Sequence, residues 1–448
     1  MKPKLPLKKL IDFWGELTFI KAARFCLYVY VVFIPFQVKY FFQVLDIYES
    51  GQLNIYTNFF LYLSDIFLIF ALILYGLAYL TGEGQRVTLK LGDKRLFALL
   101  LVFILLIEAS SFWAFNELQA FVTTIRFVEL LLFYLLILNT GCQMQFLVRL
   151  LLYTIVAQAL IGVFQYILQS SIGFHFLGEP LLAKNVPGVA KVDLGDVEFL
   201  RSYGTFAHPN IFGGFLVLGT VLAFSRLSED RILYGGFIAF FLIVLVLTFS
   251  RSAWIALTFA SLFYVFITRP RFKIKYVLLA TLIGLLFLVV FDLDKLVLNR
   301  ISVSYDEALT QRTEYMEISK NMFLKHPFGV GIGNFTLEMQ GFSEQKIRPW
   351  DLQPVHNVFL LALNEVGFVI FPVFIAIIVY IFVAVQKKSK EFVSGGDRKY
   401  GTLLLGLFFA LLVIMNLDHY PFSLYQGQFL LFFYLLLVND FVLRKVPV

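Results

Sequence analysis

The chain has 448 residues, of which 60% are hydrophobic and only 15% are charged, and its mean hydropathy is +0.82. A soluble protein of this length cannot bury so much apolar surface, so the composition excludes a soluble globular enzyme and predicts an all-α integral membrane protein. The net charge of +7 fits basic residues that meet anionic lipid headgroups at the membrane surface. It therefore needs no nucleic-acid partner.

Apolar segments long enough to cross a bilayer recur along the whole chain. They predict about twelve transmembrane helices in one polytopic domain, 1–448. The predicted spans are 22–44, 58–80, 95–113, 118–139, 145–168, 208–225, 232–249, 252–268, 275–292, 357–385, 400–417 and 423–443. The apolar runs are continuous and lack the alternation of a membrane barrel, so strands are not expected.

The distribution of Lys and Arg predicts the orientation. These residues concentrate in the segments that share a side with both termini, which the positive-inside rule assigns to the cytoplasm. Two long loops, 169–207 and 292–356, are then extracytoplasmic. The second has a helical pattern with a largely apolar face from Leu309 to Phe323, and the helix is expected to end before Pro327. We expect a helix that lies on the membrane or caps the bundle.

His356 is the sharpest candidate for acid–base chemistry. It follows Pro354 at the outer end of the predicted span 357–385. Imidazole titrates near neutrality and can accept a proton from a hydroxyl group. The alternative is a histidine that only caps the helix. Asp418 and His419, in the last outer turn, could join the same outer vestibule.

Arg251 is the only charged residue in a very short outer turn between two apolar segments. An arginine at that depth is costly unless it has a partner, and a pyrophosphate is suitable because a guanidinium binds phosphate oxygens bidentately. Snorkelling to the interface is the alternative. Arg312 and Arg201 could complete an anion cradle, although each alone is more often a solvated surface charge.

Three other features bear on the chemistry. The turn Gly329-Val-Gly-Ile-Gly-Asn334 is not a nucleotide-binding loop, and its glycines indicate a tight turn or close backbone approach, with donors to phosphate as the alternative. Arg126 and Glu129 are predicted to pair in the bundle interior. We find no paired-carboxylate motif and no Cys/His spacing that indicates a metal, so we expect no metal and no cofactor.

Four motifs, in this order, resemble the O-antigen ligase and polymerase superfamily of bacterial envelope enzymes. They are Arg201-Ser-Tyr-Gly-Thr-Phe-Ala-His208-Pro-Asn210, Ser250-Arg251-Ser252, Arg312 followed by Lys325-His-Pro-Phe-Gly-Val-Gly-Ile-Gly-Asn-Phe335, and His356-Asn357 followed by Glu365-Val-Gly367. The resemblance covers the motifs between residues 201 and 367 and, in topology, the whole chain.

This resemblance implies a GT-C-like multi-helix glycosyltransferase fold with a large extracytoplasmic loop between helices 9 and 10. It implies a multi-pass protein of the bacterial inner membrane whose active site is extracytoplasmic. The implied donor is an undecaprenyl-pyrophosphate-linked glycan, and the implied acceptor is a hydroxyl group on a glycolipid such as lipid A-core. No metal or nucleotide is implied.

The resemblance also implies roles for individual residues of this chain. His356 matches the family's general base, and Arg251 and Arg312 match arginines that hold the donor pyrophosphate, where we also expect Arg201 to contribute. Asp418 matches by position only, and it is expected to support the site together with Asn357 and His208. Tyr315 stands where many members have a tryptophan.

The alternatives differ in acceptor or in class. A polysaccharide polymerase or a protein O-oligosaccharyltransferase of the same superfamily would use the same donor, and we favour a ligase because of the single dominant late loop and its histidine. A secondary transporter is the rival from another class. Transporters tend to have broken helices at the midplane and inverted repeats, whereas the polar residues here cluster at the outer lip.

Overall fold

The computed structural model describes residues 18–43, 54–83, 89–193, 198–268, 305–392 and 395–445. The described helices are α1 Phe19–Phe33, α2 Leu63–Leu80, α3 Lys94–Ala109, α4 Glu117–Asn139, α5 Met144–Leu168, α6 Pro209–Ser225, α7 Arg231–Leu247, α8 Arg251–Thr268, α9 Tyr305–Lys325, α10 Phe335–Glu338, α11 Val358–Glu391, α12 Gly396–Leu417, α13 Tyr420–Ser423 and α14 Tyr425–Val442. Two antiparallel pairs of short strands join them: β1 Lys39–Gln43 with β2 Phe59–Tyr62, and β3 Lys191–Asp193 with β4 Glu198–Leu200.

The helical membrane architecture is confirmed. In the described part of the chain, eight helices are long and apolar enough to cross a membrane, and α6 and α7 are shorter apolar helices. Helices occupy eleven of the twelve predicted segments, and the predicted span 275–292 lies outside the described residues. α14 is the most enclosed of the eight, because neighbouring helices cover most of its residues.

Two expectations need correction. The first predicted span, 22–44, ends early, since α1 stops at Phe33 and Pro35 follows two residues later. A proline has no N–H to continue the helical hydrogen bonds, and the chain enters β1 instead. The expectation that the chain forms no strands is also wrong. Both strand pairs lie in connections between helices, and β1 and β2 fall at the edges of the apolar runs predicted as spans 22–44 and 58–80.

An ion cluster inside the bundle confirms the pairing predicted for α4. Arg126 donates to Glu129 at 2.6 Å and to Asp65 of α2 at 2.7 Å. Tyr425 of α14 donates to Glu129 at 2.7 Å. A charge in the bilayer is tolerated when it is paired in the protein interior, so this cluster ties three helices together.

The segment 305–357 before α11, called the outer segment after its predicted side of the membrane, packs on the bundle. As predicted, its helix α9 ends at Lys325, just before His326 and Pro327. Tyr315, Ile318 and Met322 are buried along one face of α9, which contacts α11. Of the two predicted positions, the structure therefore supports a cap on the bundle.

The glycine turn after α9 locks into a break in α11. Gly367 has φ 75° and ψ 171°, which interrupts the helix and releases two of its carbonyl groups. The N–H groups of Val330 and Gly331 donate to the carbonyls of Asn364 and Glu365, both at 2.9 Å. The Phe368 N–H donates back to Pro327 at 3.0 Å. This ladder fixes the outer segment to the helix that His356 precedes.

The loop 169–207 folds around one buried carboxylate. Glu179 accepts hydrogen bonds from the N–H groups of Ile172, Gly173 and Phe174 at 2.6–3.0 Å, and from the Gln165 side chain of α5 at 2.9 Å. A carboxylate that accepts several N–H donors is stabilised in a buried position. These hydrogen bonds hold the loop against α5, and the last residues of the loop lie at one end of the bundle.

Candidate functional site

Most of the predicted site residues lie at one end of the bundle. His208 caps the start of α6, Arg251 begins α8, His356 stands two residues before α11, and Asp418 ends α12. The helices α6, α8 and α12 contact one another, and α11 contacts α12. Loop ends of separate helices therefore converge there.

The end of α7 positions the segment that carries Arg201. The last carbonyl groups of a helix have no partner within the helix. Here the carbonyl of Leu247 accepts the N–H of Ser202 at 3.0 Å, and that of Thr248 accepts Arg201 Nε at 2.7 Å. Arg201 is buried, and it is held against the turn that leads into Arg251.

A chain of hydrogen bonds runs from Arg201 to Asp418. Arg201 Nη2 donates to Asn210 Oδ1 at 2.7 Å, and Asn210 Nδ2 donates to Asp418 Oδ2 at 2.7 Å. Asn210 lies in the first turn of α6, where His208 Nδ1 accepts its backbone N–H at 3.1 Å. The start of α6 thus couples an arginine and an aspartate through one amide.

Asn357 sets the position of His356. Its side chain caps α11 by accepting the Leu360 N–H at 3.0 Å, and its Nδ2 donates to the Asn416 carbonyl near the end of α12 at 3.1 Å. The start of α11 is therefore tied to the end of α12, beside Asp418. His356 and Asp418 approach each other for this reason.

The imidazole of His356 is bordered by two other rings. Tyr315 of α9 is parallel to it, with ring centroids 6.0 Å apart and planes at 11°. His419 meets it edge-on with centroids 5.1 Å apart, and Tyr56 meets His419 in the same manner at 5.3 Å. Within the described residues, the buried Nδ1 of His356 makes no hydrogen bond.

The two half-buried arginines approach from different elements. Arg312 of α9 donates to the Leu417 carbonyl at 3.3 Å, so it lies beside Asp418. Arg251 opens α8 two residues after the buried Phe249, which takes an unusual positive φ of 48°. Together with Arg201 they bring three arginines to the bundle end where Asp418 and Asp351 lie, and Asp351 is already paired with Arg348. This balance favours an anionic ligand.

Burial keeps the histidines neutral. It lowers the pKa of His356 below the ordinary value, with Arg312 adding to the effect and Asp418 opposing it. Burial also lowers the pKa of His208 and of His419 to about 3. Burial alone would raise the pKa of Asp418, but the nearby histidines and the hydrogen bond from Asn210 outweigh it, so the pKa is lowered. At neutral pH the site thus has neutral imidazoles and an ionised carboxylate.

One group of side chains has the donor types of a metal site. His356, Asp418 and His419 each offer an atom, and these atoms lie within 4.8 Å of one another. Both Asp418 oxygens already accept hydrogen bonds, and His419 Nδ1 is 2.7 Å from the Ser423 hydroxyl. A metal held by these residues would share the Asp418 oxygens with these hydrogen bonds and would lie beside the positive charge of Arg312. The prediction of a metal-independent site therefore stays a prediction.

Reasoning from the sequence did not select Asn210 and Tyr56 as site residues, whereas it named His419 together with Asp418 as able to join the site. Asn210 lies two residues after the predicted His208, so the sequence could have indicated it. Tyr56 had no signal, since only the folded chain brings its segment to α13. The glycine turn gives a clearer outcome. Its N–H groups at Val330 and Gly331 serve α11, which supports the close-approach interpretation and not phosphate binding.

Comparison with known proteins agrees with the motifs. A search of curated proteins gives no match. Residues 236–375 match the family model described as O-antigen ligase. The matched stretch contains Arg251, Arg312 and His356, whereas Arg201 and Asp418 lie outside it and reach the same end of the bundle through the fold. Over residues 236–375, the chain is therefore similar to the O-antigen ligase family.

Proposed function

We propose that this protein is a glycan ligase that transfers an undecaprenyl-pyrophosphate-linked, O-antigen-type polysaccharide to an acceptor hydroxyl such as one on lipid A-core. Its family implies a glycosyltransferase of the ligase or polymerase type. The observation that carries the proposal is the convergence of a neutral, half-buried histidine with three arginines at one end of a membrane bundle. A base and an anion cradle are the two parts that this transfer needs.

In the proposed reaction, His356 takes the proton from the acceptor hydroxyl, and the freed oxygen attacks the anomeric carbon of the donor. The bond from that carbon to the pyrophosphate oxygen breaks, and its electron pair leaves with the pyrophosphate. One displacement inverts the configuration at the carbon. The low pKa of His356 supports this role because the ring is unprotonated at pH 7 and can accept a proton.

The arginines are assigned to the leaving group. Arg251 and Arg312 are half-buried and would neutralise the charge that grows on the pyrophosphate. Arg201 already donates to Thr248 and Asn210, so direct contact with the donor requires that it exchange one of these bonds. Without that exchange it would act through Asn210 on Asp418. His208 and Asn357 support the site by capping α6 and α11.

We further propose that the site faces the extracytoplasmic side of the bacterial inner membrane and that both termini are cytoplasmic. The basic residues Arg24, Lys94, Arg226 and Arg444 lie at the bundle end remote from His356, which agrees with the positive-inside rule. A lipid-linked donor in the outer leaflet would then present its pyrophosphate at headgroup depth. This is where Arg251 and Arg312 lie if the assignment holds.

A reconstituted transfer assay tests the function. Liposomes would contain the protein, an undecaprenyl-pyrophosphate glycan and either lipid A-core or no acceptor lipid, with and without EDTA. Transfer to lipid A-core that survives chelation is the expected result. Lengthening of the donor glycan without an acceptor lipid would instead assign a polymerase, and loss of activity with EDTA would contradict metal independence. Failure to transfer with every acceptor, from folded protein, would favour a transporter.

A further inference from the structure

A second site lies at the opposite end of the molecule from His356, between the start of α3 and the end of α11. These two helices enclose a cavity of about 370 Å³ there. Its charged lining residues are Asp93, Lys94 and Arg95 of the α3 end and Lys387, Lys388 and Glu391 of α11. Four cations against two carboxylates make the cavity basic.

Both carboxylates in this cavity are already engaged. Asp93 caps α3 by accepting the N–H groups of Arg95 and Leu96 at 3.1 and 2.9 Å, and it accepts the Tyr380 hydroxyl at 2.6 Å. Glu391 pairs with Lys388 at 2.8 Å. The hydrogen bonds hold Asp93 in place without cancelling its charge, and Glu391 is neutralised by Lys388, so the cavity keeps a net charge of +2.

Three cations have no such commitment. Lys94, Arg95 and Lys387 are exposed, and within the described part of the chain none of them forms an ion pair. They come from two different helices and converge on one cavity. A ligand with negatively charged oxygens would contact all three, so the chemistry of this end indicates an anion.

An apolar cavity of about 90 Å³ lies deeper between the same two helices. It is lined by Leu100, Phe103 and Ile104 of α3 and by Ile377, Ile378 and Ile381 of α11, together with residues of α4, α12, α13 and α14. Leu100 is five residues beyond Arg95, and Ile381 is six before Lys387. At 1.5 Å per residue, the apolar cavity begins about 8–9 Å below the cations.

The outer surface of this seam faces the bilayer. Val379 and Val383 of α11 and Val102 and Leu105 of α3 are all exposed, and each belongs to a segment apolar enough to span a membrane. A molecule held at the cations could therefore lay one hydrocarbon chain into the cavity and another against these side chains. A small soluble anion would use neither feature.

We propose that the seam between α3 and α11 is a binding site for an anionic phospholipid. The headgroup phosphate lies among Lys94, Arg95 and Lys387, and one acyl chain enters between the two helices. Basic pockets between transmembrane helices recognise anionic headgroups through charge, while burial of the chain adds hydrophobic free energy. The site is independent of the glycan chemistry at His356.

Thermal unfolding of the delipidated full-length protein in detergent tests this inference. A ligand that binds only the folded state raises Tm by an amount that grows with the logarithm of one plus its concentration divided by Kd. Dioleoyl phosphatidylglycerol is expected to raise Tm progressively over a concentration series, whereas dioleoyl phosphatidylcholine and inorganic phosphate are expected to have little effect. Fitting this dependence gives Kd, which is the half-saturating lipid concentration.

The triple variant Lys94→Gln, Arg95→Gln, Lys387→Gln removes the three uncommitted cations. The half-saturating lipid concentration is expected to rise at least about tenfold. The control is Lys90→Gln, Lys399→Gln, Lys445→Gln, which removes three exposed cations from the same end outside the cavity. The control should bind phosphatidylglycerol as the unmodified protein does.

A second variant addresses the acyl chain. Ile104→Phe would fill the apolar cavity, so it should weaken binding of the dioleoyl lipid more than that of a dihexanoyl analogue. Equal effects of both triple variants would overturn the headgroup site. Equal protection by inorganic phosphate would mean a free-anion site, and stronger protection by a polyprenyl phosphate would assign the cavity to an isoprenoid. Either result would overturn the phospholipid proposal.

Discussion

At the scale of single residues, the environment of His356 decides what the site can do. Its ring lies between Tyr315 and His419, next to Asp418 and Arg312. Burial removes water that would stabilise the imidazolium, and Arg312 disfavours a second positive charge nearby. The ring therefore loses its proton more readily than an ordinary histidine does, and it is neutral at pH 7. A neutral ring is the form that a general base requires.

This state predicts the pH dependence of transfer. A base whose pKa is lowered keeps more of its unprotonated, active form at a given pH than an ordinary histidine does. We therefore expect the rate to reach half of its maximum at a pH below 6.5, the ordinary value for histidine. Single-turnover transfer measured against pH checks this. A half-maximal rate at or above pH 7 would contradict the account of His356.

Arg312 provides a second test at this scale. The variant Arg312→Gln keeps a polar side chain but removes the charge that would stabilise the leaving pyrophosphate. We expect the transfer rate constant to fall about 100- to 1000-fold, with a smaller loss for Arg312→Lys, because an ammonium cannot bind two oxygens in a planar fork. Arg348→Gln, an exposed arginine of the same outer segment, is the control. A decrease of equal size in the control would mean that the loss reflects general damage to the segment.

At the scale of elements, the outer segment and α11 behave as one unit. A Cβ atom on Gly367 would lie 2.2 Å from the backbone of Phe328, and one on Gly329 would lie 2.5 Å from the Glu365 carbonyl oxygen. The close approach that the ladder needs is thus open only to glycine. The ladder holds α9 near the start of α11, where Tyr315 meets His356.

Gly367→Ala should therefore destabilise the fold. Backbone strain at its positive φ costs about 1–3 kcal/mol, and the contact with Phe328 adds to this cost. A clear drop of Tm in detergent is expected. Gly341→Ala is the matched control, because nothing lies within 4 Å of its added Cβ and its φ is ordinary. If both variants unfold at the same temperature, the locking role of Gly367 is wrong.

The elements also show what the sequence could and could not predict. The apolar helices, the end of α9 before Pro327 and the pairing of Arg126 with Glu129 follow from local patterns, and the structure confirms them. The strand pairs do not follow, because β1 and β2 lie inside apolar runs that the pattern assigns to membrane spans, and β3 and β4 have only three residues each. The same holds for the site. His356 and Arg251 have local signals, whereas the approach of Tyr56 depends on tertiary packing.

At the scale of the whole molecule, the two ends of the bundle differ in chemistry. One end gathers His356, Asp418 and their arginines, and the other holds the basic cavity between α3 and α11. The apolar helices between them fit a bilayer. The orientation proposal depends on this difference between the two ends. A donor and an acceptor that lie on one side of the membrane can react only at a site on that side.

Cysteine labelling in intact cells tests the orientation. In a background with Cys26 and Cys142 replaced by serine, Lys346→Cys and Lys399→Cys each place one exposed thiol at opposite ends of the bundle. A membrane-impermeant maleimide should label Lys346→Cys from outside and Lys399→Cys only after lysis, as the positive-inside rule requires. The reverse pattern would place the site in the cytoplasm.

The most direct test of the central claim compares His356→Gln with His326→Gln in single-turnover transfer from an undecaprenyl-pyrophosphate glycan. Both histidines flank the same outer segment, but His326 packs against Phe115 and Phe342, away from the arginines. The account predicts that His356→Gln lowers the rate about 100- to 10,000-fold in protein that keeps its Tm, while His326→Gln remains near the unmodified rate. Transfer by His356→Gln within about threefold of the unmodified protein would show that another group accepts the proton.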